Sequence, residues 1–184
     1  LENFDESMRD TEVLICWDLP TADLSKVAPK LKWIHIIGAG VEHLCPIDWL
    51  PSGVTIVNNR GAHAAKGGEF GLMAVLMLHN HMPALLGLQQ RKHWESLYST
   101  PIAGKTMLII GVGHIGGGAA KNCKPLGLRV LGVSRHGMAV EHVDEMFKSD
   151  QIDAALPQAD FIFMATPLTP ETDNLLDRRR QALL

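Results

Sequence analysis

The sequence has too few cysteines to staple a small fold. Cys16, Cys45 and Cys123 are its only three, scattered and odd in number. They form neither a disulfide framework nor a CxxC site, a usage expected of a protein kept in a reducing cytoplasm. No excess of one charge is present either. Seventeen Lys and Arg face twenty Asp and Glu, for a formal net charge of −3, without a basic stripe, so no nucleic-acid partner is expected. No uninterrupted apolar run approaches the ~18 residues of a spanning helix, and no membrane role is expected. Residues 1–6 are acidic and do not read as a signal peptide. Neither a Gly-x-Ser-x-Gly elbow nor HExxH occurs, which argues against hydrolase chemistry. The nine histidines are not spaced as metal ligands. His79 and His81 lie two apart and would face different sides of a helix, with no Cys or carboxylate at ligand spacing. His43, His63 and His93 read as surface or boundary residues, and none marks itself as a catalytic acid.

What remains is an ordinary globular composition, 46% apolar and 20% charged over 184 residues, enough for one large domain or two small ones. Short β-rich runs alternate with helical ones. Val13 to Cys16 reads as a strand. Thr21 is placed to cap a helix carrying Leu24, Val27 and Leu31, with Pro29 against its later part. Trp33 to Ile37 is a second strand, stopped by Gly38-Ala39-Gly40, and Val54 to Val57 is a third. This alternation indicates βαβ units and a mostly parallel sheet. The chain starts at Leu and ends on Ala182-Leu183-Leu184 in mid-pattern, and is expected to be a piece of something longer.

From Lys66 to about Arg91 the pattern becomes long and helical, with Pro83 expected to kink or end it and a second segment running to Trp94. Phe70, Leu72, Met73, Val75, Leu76, Met77 and Leu78 cover nearly every face of the first half, and a helix apolar all round is buried. Two readings fit: a plain core helix, or one with a face covered by a partner subunit. A second βαβ series follows, with strands at Thr106 to Ile110, Arg129 to Val133 and Phe161 to Ala165.

Gly111-Val112-Gly113-His114-Ile115-Gly116 is G-x-G-x-x-G, directly after a strand and opening a helix. In that context it signals a dinucleotide. Gly111 permits the tight turn, Gly113 lets the backbone approach a pyrophosphate, and Gly116 allows close helix–strand packing. The helix N-terminus binds the anion; the alternative is a glycine-rich turn without a ligand. An acidic residue about 20 positions on would select NAD. Here Val133-Ser134-Arg135-His136 stands in that place. Ser134 and Arg135 suit a 2′-phosphate, so NADP is favoured, with NAD the alternative if Arg135 is only a solvated loop residue.

The stretches Lys32 to Leu44 (KWIHIIGAGVEHL), Gly111 to Gly116, and Ala165 to Thr172 (ATPLTPET) occur in this order. Together they resemble the D-isomer-specific 2-hydroxyacid dehydrogenases over roughly Val13 to Leu184. Trp17, the GAGV turn and the Ser-Arg pair are most similar to the glyoxylate/hydroxypyruvate reductase branch. The resemblance implies an α/β protein: a Rossmann-type doubly wound parallel sheet in residues 61–184, preceded by part of a flavodoxin-like substrate domain in residues 1–60. It implies hydride transfer between NAD(P)H and a small 2-oxoacid such as glyoxylate or hydroxypyruvate. Ala39 and Gly40 then match the turn whose amides hold the substrate carboxylate, and Trp17 a pocket-lining aromatic, unless it is a core residue. His114 and Ile115 match the pair against the pyrophosphate, Ser134 and Arg135 the adenosine-ribose position. Thr166, Pro167 and Thr172 match the loop beside the adenosine and nicotinamide-ribose portion. Glu69 and the long helix match the element that crosses between domains and pairs subunits, so a homodimer is expected.

There are departures from the family pattern. The family's catalytic Arg, in an N-x-x-R-G turn, and its Glu and His match nothing up to Leu184, so this stretch alone is expected to be inactive. Asp177 to Arg180 match the helix before the missing Arg-bearing strand, and Leu108 stands where a small residue is common. A non-catalytic dinucleotide-sensing interaction module is the alternative function.

Overall fold

Two separate parallel sheets carry the alternating pattern in the computed structural model, which describes residues 3–184. They belong to two compact units, Leu1–Ala62 and His63–Leu184.

The first unit runs α1 (Phe4–Met8), β1 (Val13–Cys16), α2 (Leu24–Val27), β2 (Trp33–Ile36) and β3 (Thr55–Asn58). Its strands lie in the order β1-β2-β3, all parallel. Central β2 buries Ile34 and Ile36 against Met8, Leu24, Ala28, Leu31 and Leu44. Thr21 does not cap α2. Asp23 holds that position in a left-handed conformation (φ 52°), with no side-chain cap, and the helix stops after four residues. Its carboxylate pairs instead with Lys26 at 2.6 Å. Pro29 stands two residues past the helix end, where its ring would block any continuation.

The second unit contains α3 (Ala64–His79), α4 (Met82–Gln90), β4 (Thr106–Ile110), α5 (His114–Cys123), β5 (Arg129–Ser134), β6 (Glu145–Lys148), α6 (Ile152–Ala155), β7 (Phe161–Met164) and α7 (Arg178–Gln181). The sheet order is β6-β5-β4-β7, again parallel throughout. Every residue of β4 is buried, as expected of a central parallel strand covered on both faces. Met107 and Ile109 pack with Val75, Ala119, Ala120 and Cys123. Leu108 and Ile110 pack with Leu131, Ile152, Ala155 and Leu156 on the opposite face. After β4 the chain winds outward through β5 and β6, then crosses to β7 on the other side. The strand order therefore reverses beside the carboxyl end of β4, where doubly wound sheets bind ligands.

The long helical pattern is two helices, bent by 64°. The break falls at Asn80–His81, where His81 has φ 56°, and Pro83 sits in the first turn of α4, where its missing N–H costs nothing. Helix α4 ends at Gln90, short of Trp94, which is exposed. Helix α3 is not buried all round: Gly68, Gly71 and Val75 are buried, whereas Phe70, Met73 and Leu78 are exposed. No single helix among the described residues is long and apolar enough to cross a membrane; α3 and α4 together pass by length and composition only.

Small residues set the crossing of α3 with α5. A Cβ on Gly68 would lie 2.7 Å from the carbonyl carbon and oxygen of Gly118, and one on Gly118 would strike the Ala64 carbonyl. A Cβ on Gly71 would meet that of Ala119 at 3.0 Å. This contact fixes where the N-terminus of α5 stands.

Candidate functional site

The glycines of the loop after β4 are required for different reasons. Gly111 has φ +94°, and a Cβ there would lie 2.8 Å from the carbonyl of Ala165 at the end of β7. Gly116 is buried, and a side chain would run into the Gly111 carbonyl oxygen and come within 2.9 Å of the Ile109 Cγ2. Gly113 is exposed, has an ordinary negative φ of −97°, and would place its Cβ in open space. No protein atom demands a glycine there, whereas a ligand backbone approaching the helix does.

The Gly113 N–H folds back onto the Gly111 carbonyl at 2.9 Å, and the Gly113 carbonyl accepts the Gly117 N–H at 2.7 Å. Among the described residues no backbone carbonyl accepts the N–H groups of His114, Ile115 or Gly116. They head a ten-residue helix, whose N-terminus favours an anion. Ile115 contributes only its backbone there, because its side chain packs on Gly67 of α3.

This loop is one wall of a cleft of about 720 Å³ at the carboxyl ends of β4, β5 and β7. Ser134, Arg135 and His136 form a second wall, and Thr166, Pro167, Thr169, Glu171 and Thr172 a third. Ser134 Oγ accepts the Gly137 N–H at 3.1 Å, bracing the turn after β5. Arg135 is exposed and pairs with no carboxylate within 4 Å among the described residues. Thr172 braces its own loop: its Oγ1 donates to the Pro167 carbonyl at 2.6 Å and accepts the Thr169 N–H at 2.8 Å. Thr166 packs near Gly111. Sequence reasoning missed Glu171, which faces the cleft. Hydrogen bonds from Thr169 and its own backbone hold its carboxyl below the ordinary value, and the Arg135 charge adds to that.

In the first unit the turn after β2 has its own surroundings. Trp17 is 57% exposed and so is not a core residue. Its ring lies over Gly38, where a side chain would collide with it. The His43 ring stacks on Trp17 at 5.2 Å, nearly parallel, and its Nε2–H donates to the Trp17 carbonyl at 2.9 Å. The Glu42 carboxylate rests against the open face of Gly40. Among the described residues no backbone carbonyl accepts the N–H groups of Gly38, Ala39 or Gly40, and no three His, Cys, Asp or Glu form a metal site.

The family model for the NAD binding domain of D-isomer specific 2-hydroxyacid dehydrogenases matches residues 72–184. The chain belongs to this family. Its glycine loop and cleft both fall inside the matched NAD-binding domain. The chain is 28% identical to the D-3-phosphoglycerate dehydrogenase of Methanocaldococcus jannaschii, over 97% of its own length and 35% of that relative's. It is similar in structure to a D-isomer specific 2-hydroxyacid dehydrogenase from Xanthobacter autotrophicus solved with NADPH and MES (TM-score 0.84, 26% identity, 96% of this chain and 56% of that one). It is also similar to an NADPH-dependent glyoxylate/hydroxypyruvate reductase from Sinorhizobium meliloti solved with NADP and sulfate (TM-score 0.76, 30% identity, 89% and 51%). The chain spans about a third to a half of the length of the first curated relatives it matches.

Proposed function

We propose that the chain serves an NADPH-preferring reductase of small 2-oxoacids, glyoxylate or hydroxypyruvate. The observation that carries this reading is the end of β5. Ser134 and an unpaired Arg135 line the cleft there, in the place where a carboxylate would favour NAD. The Arg135 guanidinium makes no ion pair with a carboxylate within 4 Å among the described residues, and its charge reaches Glu171 across the cleft; it can take a 2′-phosphate in a charge-assisted pair. The Xanthobacter and Sinorhizobium structures, solved with NADPH and NADP, support it.

When bound, the nicotinamide supplies the hydride. The chain's own residues supply binding and orientation. The amides of His114, Ile115 and Gly116 hold the pyrophosphate at the head of α5. Thr166 and Pro167, braced by Thr172, line the opposite side of the cleft. Ala39 and Gly40 offer amides to the substrate carboxylate, and Trp17 provides a flat apolar wall beside them. No residue of this chain is assigned the general acid.

The test is the affinity of NADPH and NADH for the 184-residue chain and its Arg135→Ala variant, by calorimetry. Loss of the Arg–phosphate pair is expected to weaken NADPH by about 1.5–3 kcal/mol, roughly ten- to a hundredfold, and to leave NADH nearly unchanged. An NADPH/NADH ratio unmoved by the substitution would overturn the preference.

A further inference from the structure

Three successive carbonyls of the turn after β2 accept hydrogen bonds from the end of β3. The Ile37 carbonyl accepts from Asn59 Nδ2 at 3.0 Å. The Gly38 carbonyl accepts from the Asn59 backbone N–H at 2.9 Å. The Ala39 carbonyl accepts from Asn58 Nδ2 at 2.7 Å. Both asparagines stand where β3 ends, so successive peptide planes of the turn are tied to one neighbouring strand end.

A trans peptide is planar, with the carbonyl of one residue and the N–H of the next on opposite edges. Fixing those carbonyls therefore fixes the N–H groups of Gly38, Ala39 and Gly40, which leave the turn away from Asn58 and Asn59. These are the N–H groups that no backbone carbonyl accepts among the described residues. Asn59 is itself oriented: His35 Nε2 lies 3.0 Å from its Oδ1. Since that oxygen only accepts, the imidazole donates, and the Asn59 amide nitrogen is left facing Ile37.

We propose that Asn58 and Asn59 are positioning residues that hold the Ala39 and Gly40 amides ready for the carboxylate of a 2-oxoacid. The proposal rests on the reading of this turn as the carboxylate site. Binding a carboxylate to a loose turn would require ordering its peptide planes at each encounter. The asparagines remove that cost beforehand. They act through the backbone and touch no substrate.

The experiment titrates glyoxylate into the ¹⁵N-labelled 184-residue chain and follows amide shifts, for wild type, Asn58→Ala and Asn58→Asp. Aspartate keeps the size of asparagine and loses the donor, so packing alone would tolerate it. The expected result is that glyoxylate shifts the Ala39 and Gly40 amides of the wild type. Both variants should bind about tenfold more weakly, with reoriented Ala39 and Gly40 N–H vectors in residual dipolar couplings. Resonances of β1 to β3 should stay in place, showing that the unit remains folded. Variants that bind glyoxylate as the wild type does would overturn the positioning role and leave the carboxylate reading standing. Wild-type amides that ignore glyoxylate would overturn the carboxylate reading, and the positioning role with it.

Discussion

Asp160 stands just before β7 and reaches sideways to β4. Its Oδ2 accepts the Thr106 N–H at 2.8 Å, and its Oδ1 takes the Lys105 ammonium at 2.9 Å. Asp144 repeats the arrangement just before β6, accepting the Val130 N–H at 2.8 Å and pairing with Lys124. The Thr106 hydrogen bond and then the Lys105 one hold the Asp160 carboxyl below the ordinary value; for Asp144 the Lys124 hydrogen bond leads and the Val130 one follows. A folded-state pKa depressed in this way gives stability that is complete above the unfolded value, about 3.9, and is lost as pH falls through the folded one. Asp160→Ala leaves the N–H of the buried Thr106 without its acceptor. Partly screened by solvent, that should cost about 1 kcal/mol at pH 7. Urea melts should show a constant gap between wild type and variant from pH 5 to 8, closing below pH about 4. A gap that persists at acid pH would mean that the carboxylate charge is not the cause. Lys105 and Lys124 are consumed in these pairs at the amino ends of the strands. Arg135, at the carboxyl end of β5, makes no direct ion pair among the described residues, which separates charge used for stability from charge available to a ligand.

At the scale of elements, the crossing of α3 and α5 decides where the anion-binding helix terminus stands. Gly118 touches backbone on α3, whereas a Cβ on Gly117, its neighbour, would meet nothing within 4 Å. Gly117→Ala should therefore be neutral or stabilise by about 0.5–1 kcal/mol through helix propensity. Gly118→Ala gains the same propensity but forces backbone apart, and should destabilise by about 1–2 kcal/mol net. Equal thermal midpoints for the two variants would refute the backbone contact. The glycine loop was legible in the sequence because only glycine satisfies the φ of Gly111 and the packing at Gly116. The strands β1, β2, β3, β4, β5 and β7 were legible from their apolar runs. β6 was not: Glu145-Met146-Phe147-Lys148 has no period of its own, and its place comes from pairing with β5 and from Phe147 packing on the core. The helix breaks two to three residues before Pro83, because proline signals a boundary without saying on which side the chain turns. Asn58, His43 and Glu171 went unread as site residues. Their roles depend on partners that only the register of β2 with β3, or the packing of loops, brings near.

At the scale of the whole molecule, the second unit leaves an apolar surface on α3 without a cover. Phe70, Met73 and Met77 form one helical stripe (i, i+3, i+7); Phe70 is 58% and Met73 47% exposed. Between Phe70 and Gln90 the chain carries no Asp, Glu, Lys or Arg. Two copies of this stripe can therefore face each other without like charges meeting. Lys66 and Glu69, at its edge, already pair with each other at 3.1 Å. The exposed Trp94 and Tyr98 follow α4 and line a separate groove of about 600 Å³ with Leu85, Leu88 and Leu97. Exposed large apolar side chains aligned on one helix face are a common mark of an interaction surface. A closed two-fold dimer covers it with the same surface from a second copy, leaving nothing open to further growth. We therefore propose a homodimer through α3. A stable contact of this kind buries roughly 1,600 Å² in total, with aromatic and methionine side chains at its centre. Met73→Asp places an unpaired carboxylate at that centre, and desolvating it should cost several kcal/mol on association. In sedimentation at micromolar concentration the wild type should run as a dimer and Met73→Asp as a folded monomer, with its thermal transition still cooperative. A wild type that sediments as a monomer, or a variant that remains dimeric, would show that this face is not the interface.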